Sequence, residues 1–338
     1  MAKTVFRVVA VILILAMGFG AVGCSAPIVD NPTRTVKDQL EREVEVPEKV
    51  ESIISTYYIS TSMVLALGAG DRLVGIEMKA DTRPLYQYVK PEIMELPQVG
   101  SAKALNIEEI LRLEPDLLIL PIRLQDSVEQ LEELGLTVIV IDPEDLDSLL
   151  AAFLLLGEAL GCEEKAQELV TYYEEKIALV EGLAAQAKDK PRVYLAGSEL
   201  LRTSTQEMYQ HDVITLAGGD NVADGIETGY WANISLEQVL SWDPEVILLA
   251  EYNDAQAQEL AQDEKWQGVA AVQNKQVYRF PSPIEPWDSP GPAAIQGILW
   301  LAHVLHPDAY SAAELEQEVE YFYGHFYGAQ IEVEDFSL

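Results

Sequence analysis

The chain has 338 residues, enough for two domains of ordinary size with cores of their own. Against 22 Lys and Arg it carries 56 Asp and Glu, a formal net charge of −34 that excludes nucleic acid and anionic headgroups as partners, because both would be repelled. Spread over helices rather than gathered in a tail, the acids read as a solvated surface or as adaptation to high salt. Two cysteines, Cys24 and Cys162, are too few for a disulfide framework.

Residues 1–23 form a signal-peptide pattern: Lys3 and Arg7 lead an uncharged run from residue 8 to residue 23, short for a membrane span. Its loss takes the net charge from −34 to −36, since it holds two bases and no acid. Ala21-Val22-Gly23-Cys24 is similar to a bacterial lipobox with Ala in place of the usual Leu, which predicts lipidation of Cys24. Ordinary cleavage that leaves Cys24 a free thiol is the other reading. Residues 24–37 are polar and contain prolines, as a tether from anchor to domain should be.

Residues 38–146 alternate strand and helix patterns. Two short strands flank a Pro turn in 43–55 (EVEVPEKVESIIS), a helix follows in 56–68, and a turn and strand in 69–76. A helix–turn–strand unit occupies 106–120 (NIEEILRLEPDLLIL), then a helix over 125–134 and a strand over 137–141. Such alternation predicts an α/β lobe with a largely parallel sheet. Residues 147–190 hold no strand pattern; apolar residues at helical spacing predict a long linking helix, its longer half preceded by a break at Gly161-Cys162. The α/β pattern restarts at Arg192 and fills 191–338.

Two echoes connect the halves. Residues 235–249 (SLEQVLSWDPEVILL) align with 106–120 without a gap at an offset of 129, and 214–220 (ITLAGGD) resemble 65–71 (LALGAGD) at an offset of 149. Their order is the same in both halves. The chain therefore reads as two Rossmann-like α/β lobes joined by one long helix, with about 20 extra residues in the first lobe, within 77–99. Ligands of open parallel sheets sit beyond the carboxyl ends of the strands, so two facing lobes make a cleft.

The loops that follow strands supply the candidate ligand contacts: Tyr57, Tyr58, Arg83, Tyr86, Lys103, Arg123, Arg202, Tyr209, Trp231 and Trp287, with Lys79, Tyr230, Tyr252 and Glu285 beside them. Aromatic rings offer rigid apolar faces to a large chelate or macrocycle, and Arg offers a fork for carboxylates or oxyanions. Loop packing and ordinary surface charge are the alternative for each. Trp300 lies in an apolar helical run and reads as core. Of the four histidines, His303 and His306 precede Pro307 and read as the end of a helix. No His-rich loop predicts a bare metal site, which needs three or four closing ligands; His211 or a Tyr as an axial haem ligand stays open. No Gly-x-Ser-x-Gly elbow occurs (Gly197-Ser198-Glu199 lacks the second Gly), nor a phosphate loop, nor His-Glu-x-x-His, so no enzyme is predicted. A secreted tetrapyrrole- or metal-handling enzyme and an anchored adhesion or sensor module are the readings of other classes.

In sequence order, QLEREVEVPEKVESIIS, LALGAGDRLVGI, NIEEILRLEPDLLIL, LAGGDNVA, ISLEQVLSWDPEVILL and AVQNKQVYRF, followed by WDSPGPAAIQGILWLAHVLHP, resemble the helix-linked substrate-binding proteins of bacterial and archaeal ABC importers, which carry ferric siderophores, haem and cobalamin. The resemblance spans about 38–307. Glu41 stands where a Gly is usual, and Thr56-Tyr57-Tyr58 replaces the usual Pro-Ser. The resemblance implies an extracytoplasmic, lipid-anchored protein that needs no cofactor. It would capture a metal chelate, or else molybdate or tungstate, in the interlobe cleft and hand it to a permease with its ATPase. It also implies that Glu108 and Glu237, equivalent in the two repeats, dock on the permease, with Glu109 the alternative in the first lobe. On their own residues, Asn106 and Ser235 are N-caps, Glu109 and Gln238 fall at capping-box positions, and acids in a first turn suit the helix dipole.

Overall fold

Short runs of Ile, Val and Leu build the centre of the molecule, because only strands buried on both faces tolerate so continuous an apolar pattern. The computed structural model describes residues 32–226, 229–253, 255, 257–332 and 336. The signal peptide and Cys24 lie outside the described residues, as does the tether up to residue 31. In the first lobe a hairpin of β1 (Thr33–Lys37) and β2 (Glu43–Pro47) is followed by β3 (Ile53–Ser55), α1 (Tyr58–Ala66), β4 (Leu73–Gly75) and α2 (Pro84–Val89). Next come a small hairpin of β5 (Gly100–Ser101) and β6 (Ala104–Leu105), then α3 (Ile107–Leu113), β7 (Leu117–Pro121), α4 (Val128–Glu133) and β8 (Val138–Ile141). Two helices follow, α5 (Leu146–Leu160) and α6 (Glu163–Gln186). The second lobe contains β9 (Arg192–Ala196), β10 (Arg202–Ser204), α7 (Tyr209–Leu216), β11 (Asp220–Asn221), β12 (Trp231–Asn233), α8 (Leu236–Trp242) and β13 (Val246–Leu249). It closes with α9 (Ala257–Gln262), α10 (Ala270–Gln273), β14 (Val277–Arg279), α11 (Ala294–Leu305) and α12 (Ala312–Phe326).

The two central sheets have one topology. In the first lobe the order is β4-β3-β7-β8 and in the second β11-β9-β13-β14, all parallel. The acid-Pro-acid step does the same work in both. Glu114 and Asp243 end α3 and α8 in the left-handed region, each at φ 45, and the prolines that follow cannot continue a helix. Asp116 then accepts the N–H of Glu51 (2.8 Å) and of Ser52 (2.9 Å) at the entry to β3, and Glu245 accepts the N–H of Arg192 (3.0 Å) at the entry to β9. The other echo is corrected by one residue. Gly68 (φ 73) and Gly218 (φ 84) both follow the last turn of their helices, α1 and α7, so the offset there is 150 and the extra stretch in the first lobe is 21 residues. Helix α2 and the tight turns Ala80–Thr82 and Pro91–Glu95 fill it.

Two further expectations change. The linking segment is two helices, of which α5 packs into the first lobe through Leu149, Ala152, Phe153 and Leu156; Asp145 and Ser148 cap its start and Gly161 (φ 64) ends it. Gly157 lets α6 lie close, since a Cβ there would stand 2.3 Å from that of Ala166. Helix α6 alone continues to the second lobe, against α7 and α11. The tether stops short of residue 37, because Thr33–Lys37 pairs with β2, and Thr33–Leu338 form one compact unit. Among the described residues no helix is long and apolar enough to cross a membrane.

Candidate functional site

The carboxyl ends of β3 and β4 carry the first half of the site. Tyr57 and Tyr58 follow β3 directly, their rings edge to face with centroids 5.0 Å apart. The Arg83 guanidinium lies 4.1 Å from the centre of the Tyr58 ring, a cation–π contact. With Glu77, Met78 and Lys79 after β4 and Ser101 to Lys103 in the β5–β6 hairpin, they enclose a cavity of about 360 Å³. Across from it, Arg202 stands 5.8 Å from the Trp231 ring, and Trp231 meets Tyr252 edge to face at 6.2 Å. Gly197 is what brings the Trp231 ring onto the end of β9: a Cβ at that position would lie 2.3 Å from the indole.

The lobes touch at both ends of the cleft. Tyr58 OH donates to Ser289 Oγ (3.3 Å) and the Leu85 N–H to the Ile284 carbonyl (3.0 Å). Between these contacts a space of about 60 Å³ is bounded by Tyr58, Arg83, Glu251, Ile284 and Pro286. Elsewhere the Tyr209 N–H donates to the Glu144 carbonyl (2.8 Å) and the Leu146 N–H to Asp212 Oδ2 (3.0 Å). Arg123 reaches Glu144 at 3.6 Å with its side chain 57% exposed. Burial first, then the carboxylates Asp142, Glu144 and Glu207, hold the Tyr230 phenol above its usual range, so Tyr230 shares this acidic side of the cleft.

Tyr57, Tyr58, Arg83, Lys103, Arg123, Arg202 and Trp231 therefore stand in or beside the cleft. Tyr209 and Trp287 do not, and the expectation of ligand contact is corrected for both; Tyr86 lines the space of about 60 Å³, but its hydroxyl is turned into the core. Tyr86 is 1% exposed and donates to Glu77 Oε1 at 2.5 Å. Tyr209, fully buried, donates to the Ala294 carbonyl. The Trp287 indole, also fully buried, donates to Tyr323 OH (3.2 Å) and stacks on Phe336. Each ring turns inward because a core partner satisfies its polar tip. Trp300 packs on Phe280 in the core, as its helical run implies. Missed in the sequence were Glu77, Glu251, Asp288 and Ser289; scattered through ordinary loops of an acidic chain, they carry no local signal.

Glu108 and Glu237 are exposed in the first turns of α3 and α8. Both N-caps are made: Asn106 Oδ1 accepts from the Glu109 N–H and Ser235 Oγ from the Gln238 N–H, each at 3.2 Å. Glu109 is occupied by Arg112 (Oε2 to Nε, 2.9 Å). The histidines serve packing contacts: His211 with Asn221, His303 with the Tyr310 carbonyl, His306 with the Ala217 carbonyl and His325 with Glu168. Among the described residues no three His, Cys, Asp or Glu side chains are grouped to hold a metal ion.

Comparison with known proteins agrees with this arrangement. The molybdate-binding protein MolA of Haemophilus influenzae is 25% identical over 320 residues, covering 87% of this chain and 91% of MolA. Its molybdate-bound structure superposes with a TM-score of 0.78 at 24% identity, over 88% of this chain and 99% of the other. The ABC transporter substrate-binding lipoprotein YvrC of Bacillus subtilis is 24% identical over 285 residues, 82% of this chain and 86% of YvrC. A vitamin B12-binding protein of Pectobacterium carotovorum is 28% identical over 206 residues, 59% of this chain and 71% of its own. The periplasmic binding protein family profile matches residues 53–284, from the start of β3 to the residue that bonds Leu85 across the cleft. With both parallel sheets, the linking helix and the cleft inside that match, the chain belongs to the periplasmic binding protein family.

Proposed function

We propose that this protein is the extracytoplasmic substrate-binding component of an ABC importer, anchored through a lipid on Cys24. It captures a metal chelate such as a ferric siderophore, haem or a corrinoid between its lobes. The carrying observation is the convergence of two aromatic–cation pairs on one cleft, Tyr58 with Arg83 from the first lobe and Trp231 with Arg202 from the second. Rings grip the apolar body of a chelate, and guanidinium groups take its anionic edge. Tyr57, Lys103, Arg123, Tyr230 and Tyr252 border the same space. The acidic surface does little to oppose an anionic ligand, because repulsion is screened beyond about 8 Å at physiological salt. Glu108 and Glu237 dock on the permease, one from each lobe, and the importer's ATPase supplies the chemistry.

A second ligand class has an observation of its own. The similarity to MolA runs over 320 residues, and the space of about 60 Å³ beside Arg83 suits molybdate or tungstate better than a macrocycle. A thermal-shift screen of the chain lacking residues 1–24 separates the two. The panel holds haem, cobalamin, several ferric siderophores, molybdate and tungstate. A ligand at 100-fold over its Kd adds about 2.7 kcal/mol, or a few degrees in Tm for a chain of this size. A shift with a chelate supports the first reading. A shift with oxyanions alone moves the ligand to the second. Silence across the panel overturns both assignments.

A further inference from the structure

In the first lobe Tyr58 and Thr61 lie three residues apart on α1, and Arg83 and Tyr86 three apart at the start of α2. On the cleft side, Arg83 covers Tyr58. On the core side, Thr61 and Tyr86 meet through one buried carboxylate: Thr61 Oγ1 donates to Glu77 Oε2 at 2.7 Å and Tyr86 OH to Glu77 Oε1 at 2.5 Å. Glu77 is 4% exposed and stands just after β4. Three elements are thus pinned at a single group, one helical turn behind the aromatic–cation pair. Arg83 itself has extended backbone (φ −106, ψ 100), the conformation imposed on a residue before Pro. It makes no ion pair among the described residues, and its buried Nε has no hydrogen-bond partner. An unpaired guanidinium is unexpected in a chain with 56 acids and 22 bases. Lys79 and Lys103, on the same cavity, also make no ion pair among the described residues. Arg83 and Tyr86 belong to the stretch that the first lobe has and the second lacks, and the device ties that stretch to α1.

We propose that Glu77 and Tyr86 are positioning residues for ligand recognition. Their buried link to Thr61 holds α2 against α1 at the spacing that keeps Arg83 over Tyr58, with the guanidinium free for an anionic group of the ligand. This deepens, and rests on, the reading of the cleft as the ligand site. Tyr86 thereby acts on the ligand through Arg83.

The test uses the chain lacking residues 1–24, which keeps the compact unit whole, with arginine nitrogens labelled for NMR. The Arg83 Nε–H signal is identified by its loss in Arg83→Gln. It should exchange slowly with solvent in the unaltered chain. Tyr86→Phe keeps the ring and deletes the donor; exchange at Arg83 should speed up about tenfold, as expected for loss of one hydrogen bond, while Tm falls by only a few degrees. Glu77→Gln retains an acceptor for Tyr86 and should lie between the two. An Arg83 signal unchanged in both variants overturns the positioning role. Molybdate then serves as the anionic probe. It should shift the Arg83 signal and bind about tenfold more weakly to Tyr86→Phe. Adding Tyr86→Phe to Arg83→Gln should cost nothing more. Additive losses would overturn action through Arg83, and an Arg83 signal indifferent to millimolar molybdate would overturn the anion-presenting role. The exchange measurement needs no ligand, so its failure is distinct from a failure of the transport reading.

Discussion

Glu285 and Asp288 flank Trp287 in the loop that closes the cleft, and both carboxyls are buried. Glu285 Oε2 accepts from Tyr327 OH at 3.3 Å and Asp288 Oδ2 from the Glu251 N–H at 3.0 Å, while Oε1 and Oδ1 have no partner. Burial pushes Glu285 up to about 8 and Asp288 up to about 7. Both values are raised on folding, so the native chain keeps protons that the unfolded chain has already lost. That stabilisation is complete below the unfolded values of 4.5 and 3.8 and is lost as pH rises through the folded ones. Urea melts should therefore show stability falling by on the order of a few kcal/mol between about pH 5 and about pH 8. Glu285→Gln should flatten its share of the slope. A wild-type profile level across this window would refute two protonated buried carboxyls. Nothing in IEPWDSPGP announces this burial; the sequence offers Trp287 as a cleft residue and Glu285 beside it.

At the scale of elements, the repeated helix–turn–strand unit was legible because its signals are local. Asn106 and Ser235 cap and Pro115 and Pro244 stop within a few residues of one another, whereas the second acid of each step bonds the entry of an earlier strand, β3 or β9, more than 50 residues away. The N-cap bonds themselves are made by Asn106 and Ser235 rather than by Glu108 and Glu237, and Glu109 is held by Arg112. Ion pairs at both lobes would fix orientation on the permease more than they supply affinity. Glu108→Lys with Glu237→Lys should abolish uptake in cells and leave the ligand-induced thermal shift of the purified chain intact. Unchanged uptake would remove docking from both residues. The extent of the linker was less legible, since α5 and α6 share one composition and only Gly161 separates their directions.

For the whole molecule, the net charge of −36 left after residue 23 is a self-repulsion spread over the surface. Added salt screens it, and exposed ion pairs such as Lys37–Glu41 contribute too little to reverse the effect. Melting temperature should therefore rise by a few degrees from low salt to about 1 M NaCl. A fall would mean that the ion pairs outweigh the repulsion. The sequence by itself determined two parallel-sheet lobes, the repeat that relates them and the helix that joins them, because strand runs, proline stops and caps act between near neighbours. Only the tertiary structure decided which aromatic rings face the cleft. At a loop's end a ring can turn to cleft or core, and partners distant in the chain make that choice: the Ala294 carbonyl for Tyr209, Tyr323 for Trp287 and Ser289 for Tyr58.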